Sequence, residues 1–261
     1  MQIPIHQVDA FTQTRFHGNP AAVCPLDHWL PVQVMQAIAA ENNLAETAFF
    51  VKEGSRYGLR WFTPTVEVDL CGHATLATAD VILRHIEPGA TKIAFDSRSG
   101  ELVVTRDSEG RLWLNFPTKP PARTEVPAYL IEALGAHPLE VLHGHYLVAV
   151  FAREDDIHTI QPNFELLRQG EPVTITAASE EPGVDFVSRF FAPSHGIDED
   201  PVTGSIHCTL TPYWSRRLGK KHLHARQVSP RGGELWLEDV GDRTRIGGYA
   251  VPYLSGTIEI D

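Results

Sequence analysis

The chain has 261 residues, of which 43% are apolar and 21% charged, with a net charge of −11. That composition can bury a core, and it excludes broad binding to nucleic acid, which needs clustered Lys and Arg. No run of ~18 apolar residues is present and Met1-Gln2-Ile3-Pro4-Ile5 lacks a charged leader pattern, so neither a membrane span nor a signal peptide is expected.

In chain order, Ile5, Val8 and Phe11 begin an extended segment that reaches the turn Gly18-Asn19-Pro20, followed by the apolar run Ala21-Ala22-Val23-Cys24. Asp27 as N-cap and Pro31 in the first turn predict a helix carrying Leu30, Val34 and Ile38 and ending at Asn42-Asn43. Strands are predicted at 48–51, 57–62, 92–96, 101–105 and 111–116, each bounded by Gly, Pro, Asp or Ser. Between them, 72–83 reads as a helix apolar on most of its circumference, and such a helix belongs inside a curved sheet. Pro117, Pro120, Pro121 and Pro127 mark a linker. Beyond it come a short helix over 128–134 closed by Gly135, strands near 146–151, 173–177 and 186–191, and a second apolar helix from about Thr203. Pro212 is expected to kink that helix or end its first part. Strands near 227–228, 234–237, 243–249 and 254–260 complete the chain. Arg216, Arg217, Lys220, Lys221, His222, His224 and Arg226 read as cations following a helix.

The chain also repeats itself. Arg60, Phe62, Pro64 and Asp69 recur 129 positions on as Arg189, Phe191, Pro193 and Asp198, and Gly100-Glu101-Leu102 recurs as Gly233-Glu234-Leu235. Two related domains follow, 1–118 and 128–261, with a linker at about 119–127. At the constant spacing Asp200 falls on Cys71, so the two halves differ where chemistry would sit. Both apolar helices start at a glycine, and a buried helix start offers unpaired N–H groups and the positive end of the dipole. Facing halves would aim Gly72-His73 and Gly204-Ser205 at one cleft, as a carboxylate trap.

Glu46 stands between a helix end and an apolar strand and is a candidate proton carrier. Cys71 at its helix start is expected to have a lowered pKa. Asp198, Glu199 and Asp200 share one loop, where repulsion would keep at least one protonated. Thirteen histidines come without HExxH or paired CxxC, so no metal site is expected. Cys24, Cys71 and Cys208 form no CxxC pair, which suits a reducing, cytoplasmic compartment.

Four segments, Phe16-His17-Gly18-Asn19-Pro20-Ala21-Ala22-Val23, Asn43-Leu44-Ala45-Glu46-Thr47-Ala48-Phe49, Cys71-Gly72-His73-Ala74-Thr75 and Glu199-Asp200-Pro201-Val202-Thr203-Gly204-Ser205, together resemble the PhzF-like phenazine-biosynthesis isomerases of the diaminopimelate epimerase-like fold. The resemblance implies an α+β fold of two similar domains, each a mainly antiparallel barrel-like sheet wrapped around a central helix. It further implies a homodimer without metal or cofactor, acting on a small carboxylate-bearing substrate in a biosynthetic process. Carried over by motif, Glu46, His73 and Asp200 would be catalytic, with Asn19, Gly72, Gly204 and Ser205 binding substrate. Two alternatives stand beside it: an amino-acid epimerase using Cys71, and a non-catalytic small-molecule or protein-binding member of the fold.

Overall fold

The structure is a computed structural model that describes residues 1–260. Its contacts divide into two units, one of residues 1–115 with the stretch from Gly247 onward, the other Phe116–Ile246; the strands Leu112–Pro117 and Arg243–Gly248 run across the division, and each is assigned to the unit that holds most of it. This differs from the expected division at 119–127, because the C-terminal strand Ala250–Glu259 returns to the first unit. It pairs antiparallel with strand β1 (Gln2–Ala10), setting Ile258 opposite Ile3. Part of the expected linker is also structured, since Ala122–Arg123 pairs with Leu142 and His143.

The first unit continues with β2 (Asn19–Leu26), helix α1 (Val32–Asn42), β3 (Glu46–Glu53), β4 (Arg56–Phe62), β5 (Glu67–Val68), α2 (Gly72–His85), β6 (Lys92–Ser97), β7 (Gly100–Arg106) and β8 (Leu112–Pro117). Asp27 is not the cap of α1. Residues through Leu26 are still strand, Pro31 is the N-cap, and Asn43 closes the helix in the left-handed region at φ 49°. Helix α2 is buried from His73 to Leu83 and packs against β1, β2, β3 and the C-terminal strand. Ala74, Ala77 and Ala79 let the backbones approach, while Thr75 and Thr78 hide their hydroxyls by donating to the carbonyls of Cys71 and Ala74.

The second unit holds β9 (Ala122–Arg123), α3 (Ala128–Leu134), β10 (Glu140–His143), β11 (Leu147–Val150), α4 (Glu154–Thr159), α5 (Phe164–Leu167), β12 (Val173–Ala178), β13 (Phe186–Ala192), β14 (Ile197–Asp200), α6 (Gly204–Leu218), β15 (His222–Gln227), β16 (Gly233–Asp239) and β17 (Arg243–Gly248). Its strands pair in the same sense as those of the first unit. β1–β2, β3–β4, β4–β5 and β6–β7 are antiparallel with β2–β3 and β4–β6 parallel; β10–β11, β12–β13, β13–β14 and β15–β16 are antiparallel with β11–β12 and β13–β15 parallel. Each unit is therefore an α+β unit, mainly antiparallel, around one buried helix. An ion pair repeats as well: Arg60 holds Glu67 through two bonds of 2.7 and 2.8 Å, and Arg189 holds Glu199 through two of 2.8 and 2.9 Å.

Pairing corrects the alignment of the halves. Trp61 faces Val68 and Phe190 faces Asp200, so β5 and β14 correspond at a spacing of 132, as do Gly72 and Gly204 at the helix starts. The extra residues lie at the 3₁₀ turn Pro193–His195. Thr203, not Asp200, is the counterpart of Cys71.

Helix α6 runs unbroken past Pro212. The ring removes the N–H that would bond the Cys208 carbonyl, and Lys119 N–H supplies that bond at 2.9 Å. The basic cluster begins inside α6 and ends in β15, and three of its charges are matched: Arg226 with Glu181 and Glu234, Lys220 with Asp185, Arg217 with Glu140.

His207 lies wholly inside the second unit, donating from Nδ1 to the Thr203 carbonyl at 2.8 Å beside the Phe186 ring. Burial lowers its pKa to about 4. Between pH 6.5 and about 4 the unfolded chain binds the extra proton, so stability is full above 6.5 and falls as the pH drops through this window. The loss amounts to about 3 kcal/mol. Urea unfolding at pH 7 and pH 4.5 should therefore show a steeper acid loss for the native chain than for His207→Gln; parallel losses contradict the burial argument.

Candidate functional site

Parallel pairing of β2 with β3 sets Glu46 beside Ala21, close in register to Asn19. The first turn of α2 brings in Cys71 and His73. The imidazole is the hub of the group: Nε2 stands 3.2 Å from Glu46 Oε2, while Nδ1 faces Cys71 Sγ at 3.5 Å and the Asn19 amide nitrogen at 3.2 Å. Asn19 is fully buried and His73 is 5% exposed. The Glu46–His73 contact is within ion-pair range but off the hydrogen-bond direction, so both facing atoms are buried with hydrogen-bonding capacity still open.

Glu46, Cys71 and His73 bring their donor atoms within 4.8 Å of one another. The carboxylate and the thiol approach opposite nitrogens of the ring, however, so they contact the imidazole and not a common point outside it.

Protons in this group are set by burial against charge. For Cys71, burial first and the Glu46 charge second push the thiol up, which outweighs His73 and overturns the expected lowering. For His73, burial disfavours the charged ring, but the interactions with Cys71 and then Glu46 prevail and raise its pKa well above the usual 6.5. The Asn19 amide nitrogen faces Nδ1 and donates to it when Nδ1 carries no proton; a ring protonated on both nitrogens requires the amide oxygen there instead.

Thiol chemistry follows the same logic. All three cysteines are buried, and Cys24 and Cys208 are pushed up to about 12 by burial. A shift from 9.0 to about 12 leaves about a thousandfold fewer thiolates at pH 8. Ellman's reagent should therefore find no fast thiol in the native protein and three after unfolding; a rapid first equivalent contradicts the assignment for Cys71.

The second unit presents a different set at the matching helix start. Thr203 is the N-cap residue of α6, but its hydroxyl does not cap the helix. It donates to Asp200 Oδ2. Fully buried Gln227 accepts from Thr203 N–H at 2.8 Å and donates from Nε2 to the Asp200 carbonyl at 2.8 Å and to Thr203 Oγ1 at 3.2 Å. Ser229 adds a bond to the Pro201 carbonyl at 2.8 Å. Gly204 is buried and Ser205 half-buried in the first turn. Asp198 and Glu199 do not crowd Asp200, because Asp198 pairs with Arg168 and Glu199 with Arg189; the expected repulsion among the three is replaced by separate partners.

Residues 8–256 match the family model described as phenazine biosynthesis-like protein. The chain belongs to the phenazine biosynthesis-like family. It is 48% identical to an uncharacterized isomerase of Pseudomonas aeruginosa, over the full length of both chains. A solved PhzF-family protein of Enterococcus faecalis superposes with a TM-score of 0.96 at 46% identity, again over all of both chains. A probable proline racemase of Agrobacterium radiobacter shares the fold, with a TM-score of 0.62 at 10% identity over 99% of this chain and 93% of the racemase.

Of the residues expected from sequence, the phenazine biosynthesis-like chain gathers Asn19, Glu46, Gly72 and His73 in the first unit, and Asp200, Gly204 and Ser205 in the second. Thr203 and Gln227 were not anticipated. The only sequence signal for Thr203 is the change of repeat spacing from 129 to 132 between Pro193 and Gly204.

Proposed function

We propose that this protein is a cofactor-independent isomerase that moves a proton on a small carboxylate-bearing substrate, with Glu46 as the acid/base. The observation that carries this reading is the contact of partly buried Glu46 with buried His73, with open hydrogen-bonding capacity on both facing atoms. In a low-dielectric setting a carboxylate beside a charged imidazole can take a proton from carbon and return it to another carbon while His73 stabilises the charge left behind. The helix starts support the same reading. Neither Cys71 nor Thr203 caps its helix with a side chain, which leaves the first N–H groups of α2 and α6 for an anion. On this reading the start of α2 at Gly72 and the start of α6 at Gly204 and Ser205 are each carboxylate-binding ends, Asn19 orients His73, and Asp200 is a second proton-handling group. Relatives of similar length carrying the name isomerase agree with it.

Epimerisation through Cys71 is less well supported, because that thiol is buried with a raised pKa and its counterpart is Thr203. Proton NMR of the protein with a panel of unsaturated cyclic and amino-acid-like carboxylates separates the readings. Movement of a double bond without change at an α-carbon is the expected product. Racemised α-carbons alone would replace this reading with the epimerase.

A further inference from the structure

Gln227 lies at the end of β15 and makes no contact that would place it in chemistry, yet its side-chain amide is fully buried and wholly used. The order of its bonds is forced. Oε1 must accept, because its partner is the Thr203 backbone N–H, and Nε2 must therefore donate, to the Asp200 carbonyl and to Thr203 Oγ1. A hydroxyl that accepts from Nε2 is free to point its own hydrogen elsewhere, and it points at Asp200 Oδ2.

We propose that Gln227 is a positioning residue that acts through the Thr203 hydroxyl, fixing Asp200 Oδ2 as a hydrogen-bond acceptor and keeping that hydroxyl off the cap of α6. The inference deepens the isomerase reading, because it gives Asp200 Oδ2 a fixed role as acceptor from the Thr203 hydroxyl. Threonine is a good N-cap, and capping would close a backbone donor at the start of α6. Diversion of the hydroxyl to Asp200 leaves that donor open. Ser229, held by the turn at Gly232, secures the same loop through the Pro201 carbonyl.

The test needs no substrate. Carbon-13 NMR of aspartate-labelled protein, with the Asp200 signal assigned by Asp200→Asn, gives the titration of that carboxyl in the native chain, Gln227→Met, Thr203→Val and the double variant. A hydrogen bond to the charged form holds a carboxylate down, so Gln227→Met and Thr203→Val should each raise the Asp200 midpoint by about one unit. Since Gln227 acts through Thr203, Gln227→Met should add nothing in the Thr203→Val background. The isosteric Gln227→Glu, which cannot donate when ionised, serves if the Met variant does not fold, and should shift Asp200 in the same direction. An unshifted midpoint in the Gln227 variants, or the same added shift with and without the Thr203 hydroxyl, overturns the proposal. Neither result depends on turnover, so failure here is distinct from failure of the isomerase reading.

Discussion

Glu46→Gln should abolish isomerisation while leaving substrate affinity largely intact. The substitution keeps size and places an amide where the carboxylate faced His73, so on the proposed function it removes the proton carrier and little else. Positioned acid/base catalysis supplies about 10²- to 10⁴-fold in rate, and a loss of at least that size in kcat with a nearly unchanged KM is expected. Cys71→Ser is the control. The thiol contacts the far nitrogen of His73 and is held neutral by burial and by the Glu46 charge, so its replacement should cost less than about tenfold. The reverse ranking would move the chemistry to sulfur.

The largest effect on stability is expected at Arg189. Its guanidinium is nearly buried, holds Glu199 through two bonds, donates from Nη1 to the carbonyls of Ile157 and Ile160 at 3.1 and 2.8 Å, and lies over the Phe191 ring. Arg189→Met leaves Glu199 as an uncompensated charge in a site where its side chain is 12% exposed, and breaking such a pair costs about 3–5 kcal/mol. Its counterpart Arg60 offers an internal comparison. Arg60 is more exposed, at 19%, and Glu67 keeps a second partner in Arg98 at 2.7 Å, so Arg60→Met should cost clearly less. Urea unfolding of the two variants checks the order. Equal losses would show that the second partner and the two carbonyl bonds contribute nothing.

Much of this architecture is legible in the chain because burial writes itself into composition. Helix α2 is apolar nearly all round, and only a surrounding sheet can accept such a helix; Gly135 after Leu134 marks the end of α3 for the same local reason that left-handed backbone favours glycine there. The repeat itself is visible in Arg60 and Arg189 because a buried arginine with a matched carboxylate tolerates little change. The error in its alignment is equally physical. Asp69 and Asp198 match at a spacing of 129, whereas β5, which ends just before Asp69, and β14, which holds Asp198, are in register at 132, and inserted residues in a turn leave no periodicity behind. Gln227 was hidden because its partners are the backbone and hydroxyl of a loop 24 to 27 positions earlier, and a buried amide bonded to backbone has no motif. The fate of Cys71 could not be read from its place at a helix start either, since the dipole that would lower its pKa is outweighed by burial and by Glu46, which only the fold brings together.

The proposed isomerase function turns on a proton held between Glu46 and His73 and delivered to carbon. Solvent deuterium reports that step in one experiment: incubation of the native protein and Glu46→Gln in D₂O with the carboxylate panel, followed by mass spectrometry of each compound. Deuterium should enter at carbon in at least one compound with the native chain and at no more than background with the variant. Equal incorporation by both proteins would contradict the role of Glu46 and the mechanism built on it.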